Sequence, residues 1–264
     1  MELISKISKG SVMDQVYIPK RRMGFEIGTY VVVKPLQEKV QTVTPFFYNI
    51  NFLEPIKVEI INQIFKNISS NISRYDNIII TGSFLEKGFS FNDMDVLLIS
   101  KEKIEKEYLE QLLENKIGIK VHIIVMSNKT LLKGISTDPL YRTMLSKCVS
   151  IKRFVYRVKP EINYKILDLH LLKSKLLVEN FDFLTGREKY EMVRNAVAIA
   201  LFIEGKQVNK SKVDERINTL FGKSMDKNLR DNIIIEKKEF LNKYEKFYKD
   251  LSSGILSSIK NGSK

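Results

Sequence analysis

Residues 81–99 read TGSFLEKGFSFNDMDVLLI, and the fold turns on how this stretch divides. The apolar run NIIIT at 77–81 predicts a buried strand that stops at Gly82-Ser83. A polar, glycine-containing spacer follows, and DMDVLLIS at 93–100 predicts a second strand. Glycine lets a backbone approach a ligand closely, and a tight turn opening a short helix aims N–H groups at a phosphate. Ser83 adds a hydroxyl to that turn. Asp93 and Asp95 stand at i and i+2, so both carboxylates share one sheet face while Met94 and Val96 point to the core. Clustered carboxylates repel unless a cation neutralises them, and Mg2+ is commonly held by one or two carboxylates plus nucleotide phosphates. Such a pair can also hold two ions about 3.5–4 Å apart, the arrangement used for in-line phosphoryl chemistry.

Working outward, residues 54–72 predict a helix. Pro55 is tolerated in its first turn, and Val58, Ile61, Ile64, Phe65 and Ile68 recur at helical spacing. Residues 101–115 predict a charged helix with Ile104, Tyr108, Leu109, Leu112 and Leu113 on its apolar side. IKVHIIVM at 119–126 predicts a third strand. The order helix–strand–turn–strand–helix–strand is that of an α/β or α+β protein. Beyond Thr130 the pattern is helical. Asp138 before Pro139 is placed to cap a helix, and helices are expected over 162–178, 187–204, 212–221 and 233–256 with a frayed tail at 257–264. Residues 15–35 predict short strands, at 16–19 and 29–33, around turns at Gly24 and Gly28, and Pro35 and Pro45 flank an edge strand or connector.

The chain has 264 residues, one cysteine (Cys148) and two histidines (His122 and His170), which excludes an internal disulfide, a Cys-based zinc cage and a His-rich metal site. No stretch approaches a transmembrane length, and the start MELISKISKGSVMDQ lacks a signal-peptide apolar core, so a cytoplasmic protein is expected. Net charge is +13, distributed as +3 over 1–50, +1 over 51–150 and +9 over 151–264. A basic C-terminal part can steer RNA, DNA or a nucleotide towards a neighbouring site, or it is a solvated lysine-rich surface. Three parts are expected: a β-rich N-terminal segment at 1–50, a core at 51–150 and a helical domain at 151–264.

The strand, Gly82-Ser83, nine-residue spacer and Asp93-Met94-Asp95 resemble the signature of the DNA polymerase β-like nucleotidyltransferase superfamily, in its small, minimal type with a C-terminal helical module. The resemblance covers residues 54–126. It implies an α+β fold, a small mixed sheet with helices, preceded by the β-rich segment and followed by a helical bundle. It implies transfer of a nucleoside monophosphate from an NTP, ATP foremost, to an acceptor hydroxyl on RNA, protein or a small molecule, with release of pyrophosphate. Asp93 and Asp95 would bind Mg2+, or Mn2+ in its place; Gly82 and Ser83 would hold phosphates, and Lys87 in the spacer would be a phosphate clamp. Such enzymes usually carry a third carboxylate on a later strand. Here residues 119–126 hold no Asp or Glu, and the central polar residue is His122, a candidate base, metal-shell ligand or packing residue. Glu86 and Asp138 are alternative acids, and Arg142 is a candidate phosphate contact. Residues 16–33 faintly resemble swapped-hairpin DNA-binding domains, with Lys20, Arg21 and Arg22 as an electrostatic patch. Helical modules of this kind are sometimes RNases with an Arg and a His on one helix; no His follows Arg187 or Arg194, so nuclease activity is not expected. The rival reading is a nucleotidyltransferase fold that binds nucleotide or nucleic acid without turnover.

Overall fold

A computed structural model describes residues 7–18, 20, 24–29, 31 and 44–261. The chain divides into two compact units, Met1–Val43 and Thr44–Lys264. In the first, β1 (Ile7–Ser8) pairs antiparallel with β2 (Gln15–Val16). Gly24 and Gly28 take positive φ, as the turns require. Most of the strand expected at 29–33, together with Pro19, Arg21, Arg22 and Pro35, lies outside the described residues.

The second unit begins with β3 (Phe46–Tyr48), so residues grouped by sequence with the N-terminal segment belong to the main sheet. Then come α1 (Pro55–Asn71), β4 (Asn77–Thr81), a 3₁₀ turn (Ser83–Leu85), β5 (Asp93–Ile99), α2 (Lys106–Ile117) and β6 (Lys120–Met126). After these follow α3 (Asn128–Thr137), α4 (Pro139–Leu145) and β7 (Cys148–Ser150). The sheet order is β3-β7-β4-β5-β6, with β5 and β6 parallel and the other neighbours antiparallel. The fold is α+β with a mixed five-stranded sheet.

Strand β4 and the 96–99 end of β5 read as continuous apolar runs because both faces are covered there. Ile78, Ile80, Met94, Val96, Leu98, Val121 and Ile123 pack with α1 and α2, through Ile61, Ile64, Phe65, Ile68, Leu109 and Leu113. Ile79, Leu97, Ile99 and Met126 pack on the other face, with Leu131 of α3, Leu145 of α4 and Cys148. Burial pushes the Cys148 thiol up to about 12, which makes it a packing residue. Helix α2 starts later than the charge pattern suggests: Ser100 Oγ accepts the Glu102 N–H at 3.1 Å, an alternative to the first helical turn. Asp138 caps α4, accepting the Leu140 N–H at 2.8 Å.

The remaining helices are α5 (Tyr164–Glu179), α6 (Gly186–Ile203), α7 (Lys210–Phe221), α8 (Met225–Arg230) and α9 (Lys237–Asn261). They surround one core in which α6 supplies Val193, Ala196, Val197 and Leu201, at the helical spacing read from sequence. Helix α8 was not expected, and α9 runs through the first five residues of the supposed frayed tail. No helix among the described residues is long and apolar enough to cross a membrane.

Candidate active site at the β4–β5 hairpin

Strand β4 ends where Thr81 pairs with Asp95 of β5. Thr81 Oγ1 donates to the carbonyls of Met144 at 2.7 Å and Lys147 at 3.3 Å, tying the end of α4 to the site. Gly82 follows with φ +90°, and a Cβ there would lie 2.3 Å from Asp95 Oδ2. Glycine takes this conformation without strain, and any side chain here would have to displace the carboxylate. Leu85 N–H returns to the Gly82 carbonyl, and Glu86 N–H to that of Ser83. Phe84 and Leu85 are fully buried, and Phe84 meets Phe91 edge-on at 4.9 Å, so apolar anchors pin the spacer at both ends.

Asp93 and Asp95 lie on the sheet face opposite Met94 and Val96, as their alternation requires. In the parallel register Asp93 stands beside Lys120 and Asp95 beside His122. Val121 and Ile123 belong to the α1–α2 core, so His122 shares the carboxylate face. Its Nδ1 is 3.6 Å from Asp95 Oδ1, with the side chains 52% and 36% exposed. Burial, reinforced by the Asp93 charge, raises the Asp95 carboxyl above its ordinary range; His122, and then Arg187 near the start of α6, act against the rise. The helical part therefore contributes to the field at this site.

The sheet end gathers Gly82, Ser83, Asp93, Asp95 and His122. Lys87 is exposed on the spacer between them. Among the described residues no group of three or more His, Cys, Asp or Glu side chains forms a metal cage. The alternative acids are engaged elsewhere. Asp138 takes a 2.9 Å hydrogen bond with His170 Nε2 besides its capping role. Glu86 bridges Lys147, at 3.0 Å, and Lys210 of α7. Burial raises the Glu86 carboxyl, but the hydrogen bonds and charges of Lys210 and Lys147 outweigh it and hold it below its ordinary range. Arg142, a candidate phosphate contact by sequence, spends its guanidinium on the carbonyls of Ile135 at 2.7 Å and Val158 at 3.2 Å.

The chain matches no protein-family model, no curated protein and no solved structure.

Sequence reasoning missed Glu54 and Lys57. Lys57 is fully buried, donates to the carbonyls of Glu86 at 2.6 Å and Gly88 at 2.5 Å, and lies 3.2 Å from Glu54. The signal was present: positions 57, 61, 64, 65 and 68 form the buried stripe of α1, and Lys57 is its one charged member.

Proposed function

We propose that this chain is a metal-dependent nucleotidyltransferase. It transfers a nucleoside monophosphate from an NTP, ATP foremost, to an acceptor hydroxyl. The observation that carries the reading is the close passage of the Gly82 backbone against Asp95, with Asp93 on the same face. A glycine turn beside two carboxylates at one sheet end supports this reading. The donor set fits Mg2+: two carboxylates on one face leave room for water and phosphate oxygens, and Asp93 adds like charge beside an Asp95 carboxyl that burial already raises. Bound there, the ion would supply neutralisation of the triphosphate charge.

The chain's own residues do the positioning. The turn at Gly82 and Ser83 receives the β and γ phosphates, and the exposed Lys87 of the spacer is their clamp. The acceptor oxygen attacks the α phosphorus; the new P–O bond forms as the bond to the bridging oxygen breaks, and pyrophosphate leaves. His122, beside Asp95, takes the acceptor proton on its imidazole. The rate comes from alignment and charge neutralisation, with no covalent enzyme intermediate. The basic charge of residues 151–264 favours RNA as acceptor over protein or a small molecule. A lone, buried cysteine suits a reducing compartment such as the cytoplasm.

One observation favours a second reading, a fold that binds nucleotide or nucleic acid without turnover: β6 presents no carboxylate, and His122 occupies the register position beside Asp95. Incubation of the protein with each labelled NTP, Mg2+ or Mn2+, and total cellular RNA and protein separates the two. Label transferred to an acceptor supports the enzyme and identifies the acceptor class. Nucleotide binding with no transfer supports the second reading.

A further inference from the structure

Gly88, in the middle of the spacer, is gripped from both sides by the first turn of α1. Its N–H donates to Glu54 Oε1 at 2.6 Å, and its carbonyl accepts from Lys57 Nζ. The same ammonium donates to the Glu86 carbonyl at 2.6 Å. Phe84, Phe89 and Phe91 surround it, with ring centroids 5.3 to 5.5 Å from the nitrogen. The Gly88 N–H, first among its causes, holds the Glu54 carboxyl below its ordinary range.

Burying an ammonium is costly unless it is paired and hydrogen-bonded, and an apolar side chain would fill the same space at lower cost. What an apolar residue cannot do is fix two carbonyls of an irregular loop. That loop joins the two halves of the site, Gly82-Ser83 at one end and Asp93 at the other. Reacting groups must be held to within a fraction of an ångström, and such precision comes from the groups that support them.

We propose that Glu54 and Lys57 are positioning residues that set the spacer before a triphosphate arrives, so that phosphate turn and carboxylates are already in register. This rests on the nucleotidyltransferase reading given above. The pair touches no reacting atom. Its effect falls on nucleotide affinity, through the ordering cost that a loose loop adds to binding.

The test uses the whole chain as Lys57→Met and as the charge-neutral double variant Glu54→Gln/Lys57→Met, which leaves no lone buried charge. Hydrogen exchange is followed over residues 83–92 and over α1 and β4, and dissociation constants for Mg2+ with each NTP are measured alongside. In both variants exchange in 83–92 is expected to quicken while β4 stays protected. NTP affinity should fall by about tenfold or more, and turnover should recover at saturating NTP, a KM effect that simple destabilisation does not give. Unchanged exchange in the spacer overturns the proposal, as does faster exchange with unchanged affinity. Wild type that binds no NTP overturns the nucleotidyltransferase reading instead, and the positioning role with it.

Discussion

His122 stands directly beside Asp95 across the parallel β5–β6 pairing, its Nδ1 3.6 Å from Asp95 Oδ1, on the face that also carries Asp93. Strand β6 carries no Asp or Glu, and at this register position it presents an imidazole in contact with one of the two carboxylates. If the imidazole takes the acceptor proton, it acts on the transition state more than on binding. His122→Ala is therefore expected to lower turnover by about 10²-fold or more while NTP affinity holds. His122→Asp should retain or improve Mg2+-supported turnover, since a carboxylate oxygen suits that ion better than a ring nitrogen. The side chain is half exposed, so His122→Ala should melt within about 0.5 kcal/mol of wild type, whereas His122→Asp crowds a third carboxylate against Asp95 and should be less stable until Mg2+ is added. Equal turnover in wild type and His122→Ala removes His122 from the mechanism.

Gly82→Ala asks whether the close passage beside Asp95 matters. Its φ of +90° is strained for any L side chain, and the new methyl would collide with Asp95 Oδ2. A stability loss of about 1–3 kcal/mol is expected, with displacement of the carboxylate and loss of NTP-dependent stabilisation. Thermal melting with and without Mg2+ and NTP reads both effects. A variant that melts like wild type and is stabilised equally by nucleotide would show that the turn has room to spare.

The Glu86 bridge to Lys147 and Lys210 gives a pH signature. Its carboxyl is held below the ordinary range, so the native state binds a proton less readily than the unfolded chain. The stabilisation is therefore complete above the ordinary carboxylate range and disappears as pH falls through the depressed folded value. Glu86→Gln leaves Lys210 largely buried without its partner. A loss of about 1–2 kcal/mol at neutral pH is expected, at the low end for charged hydrogen bonds because Glu86 is itself two-fifths exposed and screened. Denaturant midpoints measured over pH should show the two proteins converging in acid; a difference that persists there contradicts the assignment.

Strand β4 and the 96–99 end of β5 were legible as uninterrupted apolar runs buried on both faces, β6 as an apolar stretch broken by exposed Lys120 and His122, and the Gly82-to-Asp95 spacing could be read between the strands. Strands β3 and β7 were not: with three residues each, neither shows a period, and β7 is defined by pairing with β4 and β3, both distant along the chain. The six-residue α8 is equally short for any helical stripe to show. At the site, strand alternation put His122 on one face with Lys120 and Ile124, but that this is the Asp95 face, and that the two side chains are neighbours, depends on register, which sequence does not state. The partners of the spacer were hidden for a different reason. Lys210 meets Glu86 from 124 residues away, and Lys57 resembles a surface lysine until its place in the buried stripe of α1 is counted.

The most direct test of the account is thermal melting of wild type, Asp93→Asn and Asp95→Asn with Mg2+ and each NTP, alone and together. Ligand that binds only the native state raises its stability, by about 2.7 kcal/mol at a hundredfold excess over Kd. The Asp95 carboxyl is raised, so its ionised form opposes folding at neutral pH. Asn there should leave the ligand-free protein as stable as wild type, or more stable by less than about 1 kcal/mol given its exposure. The account predicts that wild type is stabilised by Mg2+ and NTP together, well beyond either alone, and that both variants lose this gain while remaining folded. Variants stabilised as much as wild type would contradict it.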